Sequence, residues 1–232
     1  MKTLIIIPAY NEAENIVSTM ENLRSECPDI DYIIINDGSK DDTARLCREN
    51  NYNLLDLPIN LGLVGAFQVG MQYASKHGYD AAMQFDADGQ HLPEFVPKLC
   101  ETLENTNADI VIGARQKRES ESFSGRLIGS AVISFLLRIF SGANLTDPTS
   151  GMRIYSKKLI KEFAWNINYD PEPDTLAYLM RRGIKLIEVP VRMKEREGGE
   201  SYLNFPNAVK YMLRVSMSII IFQWFRKRGA MN

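Results

Sequence analysis

"DAAMQFDADGQH", residues 80–91, opens as a short apolar run and ends with two carboxylates, Asp86 and Asp88, one residue apart. The run lacks the strict alternation of a strand with one wet face, so it reads as a strand covered on both sides, as in a parallel sheet. Four other runs share that character: "TLIIIP" (3–8), "DYIIIN" (31–36), "YNLLDL" (52–57) and "DIVIGA" (109–114). Helix-like segments fall between them, over about 12–26, 41–50, 62–77 and 93–104. Asp41 or Asp42 suits the cap of the second, and Pro93 the first turn of the fourth. Strand–helix alternation predicts right-handed crossovers and an open, doubly wound, mostly parallel α/β sheet. Ligands of such sheets bind at the carboxyl ends of the strands. Three strands end there in polar residues: "PAYNE", "NDGSKDD" and "DADGQH". Alternation along the strand predicts that Asp86 and Asp88 point to the same side.

Composition agrees with an ordinary globular protein. Of the 232 residues, 45% are apolar and 24% charged, and the net charge of −2 argues against bulk attraction to nucleic acid. Cys27, Cys47 and Cys100 lie far apart with no C-x-x-C pair, which reads as buried thiols in a reducing compartment. "TLIIIPAY" is too short for a secretion signal and runs into a polar motif, so a cytosolic protein is expected.

The second half differs. "FSGRLIGSAVISFLLRIFSG" (123–142) is a strongly apolar helix candidate with Arg126 and Arg138 near its ends. "TDPTSGMRIYSK" (146–157) reads as a turn into a short strand. A helix near 172–182, a strand "KLIEVPVRM" (185–193), the charged loop "KEREGGES" (194–201) and an apolar tail with basic residues follow. One domain over 1–203 with a C-terminal appendage over 204–232 is the expected organisation.

Two hard oxygen donors with no basic neighbour suit Mg²⁺ or Mn²⁺, which take few protein carboxylates and complete their shells with phosphate oxygens. Such an ion would neutralise a departing diphosphate. Gln90 is a further polar contact. On these residues alone a plainer reading stays open, with one aspartate capping the next helix and the other solvated. Asp37-Gly38 reads as a tight turn whose carboxylate suits a base or ribose, and Asp41 and Asp42 as caps. "NLGLVGAFQVG" (60–70) fits neither a dinucleotide fingerprint nor a P-loop, and reads as a helix opening beside a ligand with small residues for close packing.

"IIIPAYNEAENI", "IINDGSKDDT", N-x-G-x-x-x-A, "FDADGQH", "DPTSGMR" and "EVPV…REGGES" occur in an order and at spacings that resemble family 2 glycosyltransferases. The polyprenyl-phosphate branch, which includes the dolichyl-phosphate mannose synthases, is the nearest in pattern. The match covers about residues 3–203. The resemblance implies a GT-A fold, a nucleotide-sugar donor, Mg²⁺ or Mn²⁺, and inversion at the anomeric carbon. It places Pro8, Ala9, Tyr10, Glu12, Asp37 and Asp86 around the nucleotide, and matches Asp86, Asp88 and Gln90 to the metal and diphosphate motif. Arg115, Arg126, Ser130 and Arg196 match positions that hold phosphate groups, where a guanidinium presents paired donors. Lys117 and Arg118 read as solvated surface charges. Asp88, Asp147 and Arg126 are the expected catalytic residues. Asp147 has two readings, positioning of the acceptor loop or general base, and the first is preferred because a lipid phosphate is already ionised near neutral pH. "PEPD" (171–174) departs from the acidic stretch of the mannose synthases.

Val215–Phe225 carries no charge, but 11 residues at 1.5 Å each fall short of a hydrocarbon core about 30 Å thick. Lys210 and Arg214 share a face and Arg226-Lys227-Arg228 closes the segment, which suits a helix lying in the membrane interface; a core-packing helix is the alternative. The 123–142 helix beside it would complete a membrane-facing platform. The expectation is therefore a metal-dependent inverting hexosyltransferase, peripheral on the cytosolic face of the membrane, moving sugar from UDP-GlcNAc or UDP-glucose to polyprenyl (undecaprenyl) phosphate for the cell envelope. GDP-mannose as donor, a soluble transferase acting on a glycan or protein hydroxyl, and a nucleotide-binding protein without turnover are the alternatives. A small membrane-protein partner and a homo-oligomer are compatible with the same tail.

Overall fold

A computed structural model of the chain describes residues 1–116, 132–139, 145–166, 171–194 and 212–222. Seven strands form one sheet: β1 (Thr3–Ala9), β2 (Asp31–Asn36), β3 (Leu54–Asp56), β4 (Ala81–Gln84), β5 (Ile110–Arg115), β6 (Arg153–Ser156) and β7 (Leu186–Val191). Their order is β3-β2-β1-β4-β6-β5-β7. All neighbouring pairs are parallel except those of β6, which runs antiparallel to both β4 and β5. The expected doubly wound α/β sheet is present, with one reversed strand that the apolar runs do not signal.

β1 explains why the runs look continuous. All seven of its residues are buried. Leu4 and Ile6 join one core cluster, and Ile5, Ile7 and Ala9 the other, so alternate side chains enter opposite layers. The second layer contains α1 (Ile16–Glu26), α2 (Thr43–Glu49) and α4 (Val96–Thr106), the last following a 3₁₀ turn, Pro93–Phe95. The first contains α3 (Gly62–Lys76), α5 (132–139), α6 (Lys157–Trp165) and α7 (Pro173–Arg181). Helix α3 lies close on β1: a Cβ on Gly70 would stand 2.3 Å from Ile6 Cγ2, which is why a small residue is needed there.

The tail joins this layer. A helix over 212–217 continues as a π-helical turn, Ser218–Phe222, and buries Val215 and Ile219 in the same cluster as Ile133 and Leu137 of α5. The Ser218 hydroxyl donates to Asp174 at 2.5 Å, and Arg214 donates to Glu172 at 3.3 Å. "PEPD" thus opens α7 and docks the C-terminal helix. The outward residues are also apolar: Val132, Phe135 and Ile139 on α5, and Leu213, Met217 and Ile220 on the C-terminal helix, are each 41–62% exposed. Among the described residues no helix is long and apolar enough to cross a membrane.

The thiols are free, with Cys27 and Cys47 buried. Burial pushes both up to about 11, which leaves them unreactive.

Candidate active site

Because β1, β2 and β4 are parallel, "PAYNE", "NDGSKDD" and "DADGQH" leave the sheet at one edge. The reversed strand β6 begins at Arg153, so the "DPTSG" turn that feeds it reaches the same edge. β1 sits where the strand order reverses, the position at which open α/β sheets bind ligands.

The first two loops are stitched together. Asn11 N–H donates to Ser39 Oγ (2.9 Å), Lys40 N–H to Asn11 Oδ1 (2.8 Å), Glu12 N–H to Thr43 Oγ1 (2.9 Å) and Ala13 N–H to Asp41 Oδ2 (3.0 Å). Asn11 takes a left-handed φ of 54°, which lets the chain turn back before α1 begins, later than the expected start near residue 12. Asp41 also accepts from Thr43 N–H, so it serves the α2 entrance without being its N-cap, and Asp42 makes no side-chain cap bond. Burial would raise the Asp41 carboxyl, but the hydrogen bonds from Thr43 and Ala13 outweigh it and hold it below its usual range. Of the expected nucleotide residues, Pro8 and Ala9 end β1, Tyr10 is exposed, and Glu12 is half-buried. Asp37 is buried at 2% exposure, and its Oδ1 accepts Leu61 N–H at 2.7 Å, tying the "NLG" loop to β2. Gly38 turns at φ +64° where a Cβ would collide with Ile59 and Asn60.

Asp86 and Asp88 lie beyond β4, which ends at Gln84, so strand alternation does not set their direction. A turn does, held by side chains the sequence reading passed over. Gln84 Nε2 donates to Asp86 Oδ1 (3.1 Å), and Asp86 N–H donates to His91 Nδ1 (2.9 Å). Asp88 Oδ1 accepts Gln90 N–H (3.1 Å), and Thr19 on α1 donates to the Ala87 carbonyl (3.1 Å). His91 is buried, with its ring edge-on to Phe85, and bridges to Met193, while Lys194 N–H donates to the Gln90 carbonyl. The aspartate turn is therefore zipped to the end of β7. Gly151 of "DPTSG" packs against Asp86: a Cβ there would stand 2.7 Å from Oδ2.

The "DPTSG" turn is fixed from three sides. Arg115 at the end of β5 grips Asp147 with Nε on Oδ2 (2.6 Å) and Nη2 on Oδ1 (2.8 Å), and its N–H adds a third bond to Oδ2 (3.1 Å). Glu188 on β7 accepts the N–H groups of Thr146 and Asp147. Arg153, buried at 2% exposure, donates to the carbonyls of Pro148, Ser150 and Pro171. Burial would raise the Asp147 carboxyl, but Arg115's hydrogen bonds and charge outweigh it and hold it below the usual carboxylate range. Arg115, expected on a phosphate, has its Nε on Asp147 and its Nη2 on Asp147 and Thr149. Arg126, Ser130 and Arg196 lie outside the described residues, as do Lys117 and Arg118.

The family model described as Glycosyl transferase family 2 matches residues 4–163. The chain belongs to that family. Over 217 residues it is 34% identical to an undecaprenyl-phosphate mannosyltransferase of Micrococcus luteus, covering 88% of each chain. It is 31% identical over 211 residues to a UDP-N-acetylglucosamine–dolichyl-phosphate N-acetylglucosaminyltransferase of Methanococcus voltae, covering 81% of this chain and 84% of that one. Among solved structures, glucosyl-3-phosphoglycerate synthase of Mycobacterium tuberculosis in complex with Mn²⁺, UDP and phosphoglyceric acid aligns with a TM-score of 0.72. That alignment covers 96% of this chain and 78% of the other at 18% identity, and it establishes the shared GT-A fold.

In this family 2 glycosyltransferase Asp86 and Asp88 are carboxylates of the kind that Mg²⁺ and Mn²⁺ take. Among the described residues no group of three or more His, Cys, Asp or Glu gathers to hold an ion. Mg²⁺ and Mn²⁺ at phosphate sites use one or two carboxylates and take the rest of their shell from water and phosphate. The Asp86 side chain is 35% exposed, and its Oδ2 lies 3.4 Å from His91 Nε2 and against Gly151, which has no Cβ to crowd it. The residues fit the ion.

Proposed function

We propose that this family 2 glycosyltransferase inverts the anomeric carbon of a nucleotide-diphosphate sugar while transferring it to a polyprenyl phosphate at the cytosolic membrane surface. The observation that carries this reading is the pinning of Asp147. A hydroxyl acceptor needs a base to take its proton. A carboxylate whose two oxygens are both engaged by one guanidinium, and whose pKa is lowered by it, is a weak proton acceptor. A phosphate monoester, with a second pKa of about 6, attacks without a base. The names of both relatives described above, each a polyprenyl- or dolichyl-phosphate transferase, support the same acceptor.

Asp86 and Asp88 would hold Mg²⁺ or Mn²⁺, which supplies the positive charge that a leaving diphosphate requires. The paired "PAYNE" and "NDGSKDD" loops provide a rigid wall for the nucleotide. Asp147, Arg115 and Arg153 keep the acceptor turn in place. The exposed apolar stripes of α5 and the C-terminal helix suit the membrane interface, because each helix is anchored through its other face.

UDP-GlcNAc or UDP-glucose is the proposed donor, as the "SGMR…PEPD…REGGES" set has a bacterial, cell-envelope character. GDP-mannose is a second reading, favoured by the mannosyltransferase relative at 34% identity. A panel of labelled UDP- and GDP-sugars, incubated with the protein, Mn²⁺ or Mg²⁺ and undecaprenyl or dolichyl phosphate, decides between them by which label enters the organic phase. Label entering from none would reject the proposed function.

A further inference from the structure

We propose that Gln84 is a positioning residue that aims the Asp86 carboxylate, an inference that rests on the metal reading of the aspartate pair. Gln84 is the last residue of β4 and is 3% exposed, among Ala81, Ala82, Met83 and Phe85, all buried. Its Nε2 donates to Asp86 Oδ1 at 3.1 Å. The amide orientation follows from chemistry: an ionised carboxylate only accepts, so the NH₂ must face it. This leaves Oε1 pointing into protein, where it is buried and has no hydrogen-bond partner among the described residues.

The cross-strand neighbour does not relieve it. Arg153 pairs with Gln84 in the β4–β6 register, but its Nε, Nη1 and Nη2 are committed to the carbonyls of Ser150, Pro171 and Pro148. An unmet buried acceptor is destabilising, and an apolar side chain of the same size would remove the penalty. On the stability side the Nε2 bond to Asp86 is set against this penalty, so the amide's net contribution is small. What the amide does is hold one oxygen of Asp86, while His91 holds the Asp86 N–H through Nδ1 and stands 3.4 Å from the other oxygen, beside Gly151. Residues that orient a ligating carboxylate in this way typically change metal affinity 10–100-fold when removed.

The test uses the full chain and Mn²⁺ binding followed by electron paramagnetic resonance, with saturating UDP in one arm and GDP in the other. Gln84→Met keeps the volume and deletes the donor; Gln84→Leu serves as a second apolar replacement. The expected result is a Mn²⁺ Kd raised about tenfold or more, with Tm unchanged or higher. Wild-type affinity in a folded variant would overturn the inference alone. So would a Tm that falls together with affinity, or failure of both variants to fold, since either would make the amide a structural requirement. No Mn²⁺ binding by the wild type with either nucleotide would overturn the metal reading and the inference with it.

Discussion

Arg115 and Asp147, 32 residues apart in sequence, meet as a bidentate pair, Nε to Oδ2 at 2.6 Å and Nη2 to Oδ1 at 2.8 Å. The pair joins the end of β5 to the "DPTSG" turn and engages both oxygens of the carboxylate.

Asp147→Asn should leave Arg115 facing an amide and destabilise the fold by about 3 kcal/mol, near the lower limit for breaking a buried pair because Arg115 is partly exposed. The sign of the pH effect follows from the lowered carboxyl. The stabilisation is present above the unfolded value of about 3.9 and disappears as pH falls through the folded one. Thermal denaturation from pH 6 to pH 2.5 should show the wild type losing stability below about pH 4, with the variant's profile flatter there. Parallel profiles would deny the pair its role.

Gly151→Ala should reduce Mn²⁺·nucleotide binding about tenfold or more while changing Tm little. The added methyl would press on Asp86 Oδ2, a group with room to shift only by leaving its site geometry. Calorimetric titration checks it; unchanged affinity would mean that Asp86 relaxes without consequence.

His91→Phe should remove the acceptor for Asp86 N–H in a partly buried turn. An orphaned buried donor costs about 1–3 kcal/mol, readable by urea denaturation. His91→Asn, which offers a side-chain oxygen, should recover part of the loss.

The inward and outward faces of α5 and the C-terminal helix should separate cleanly. Ile219→Ala, on the core side, should cost about 2–4 kcal/mol. Phe135→Glu with Leu213→Glu, on the exposed side, should leave Tm nearly unchanged and weaken sedimentation with anionic liposomes. Unaltered liposome binding by the double variant would remove these exposed stripes from the membrane contact.

The apolar runs made the shared direction of five strands readable, since near-continuous apolar character marks strands covered on both faces. They could not reveal the reversal of β6: a four-residue strand buried on one register looks alike in either direction. Three loops of the site were legible as polar strand ends. The pairings within it were not. Arg115 reads equally well as a phosphate ligand or a carboxylate partner until β5 and the "DPTSG" turn are brought together. Gln84 and His91 were hidden by composition, one inside an apolar run and the other behind two aspartates that drew the chemical reading. For α5 and the C-terminal helix, apolar residues on both faces left the inward stripe undecidable from periodicity. Packing chose Ile133, Leu137, Val215 and Ile219.

The measurement closest to the central claim compares two acceptors that differ only in the phosphate. With whichever labelled nucleotide sugar proves active, the protein is given polyprenyl phosphate in one reaction and the free polyprenol in the other, with Mn²⁺ present. A site whose carboxylate is pinned by Arg115 should label the phosphate alone, and EDTA should abolish the product. Transfer to the free alcohol at a comparable rate would require a working base and would contradict the account.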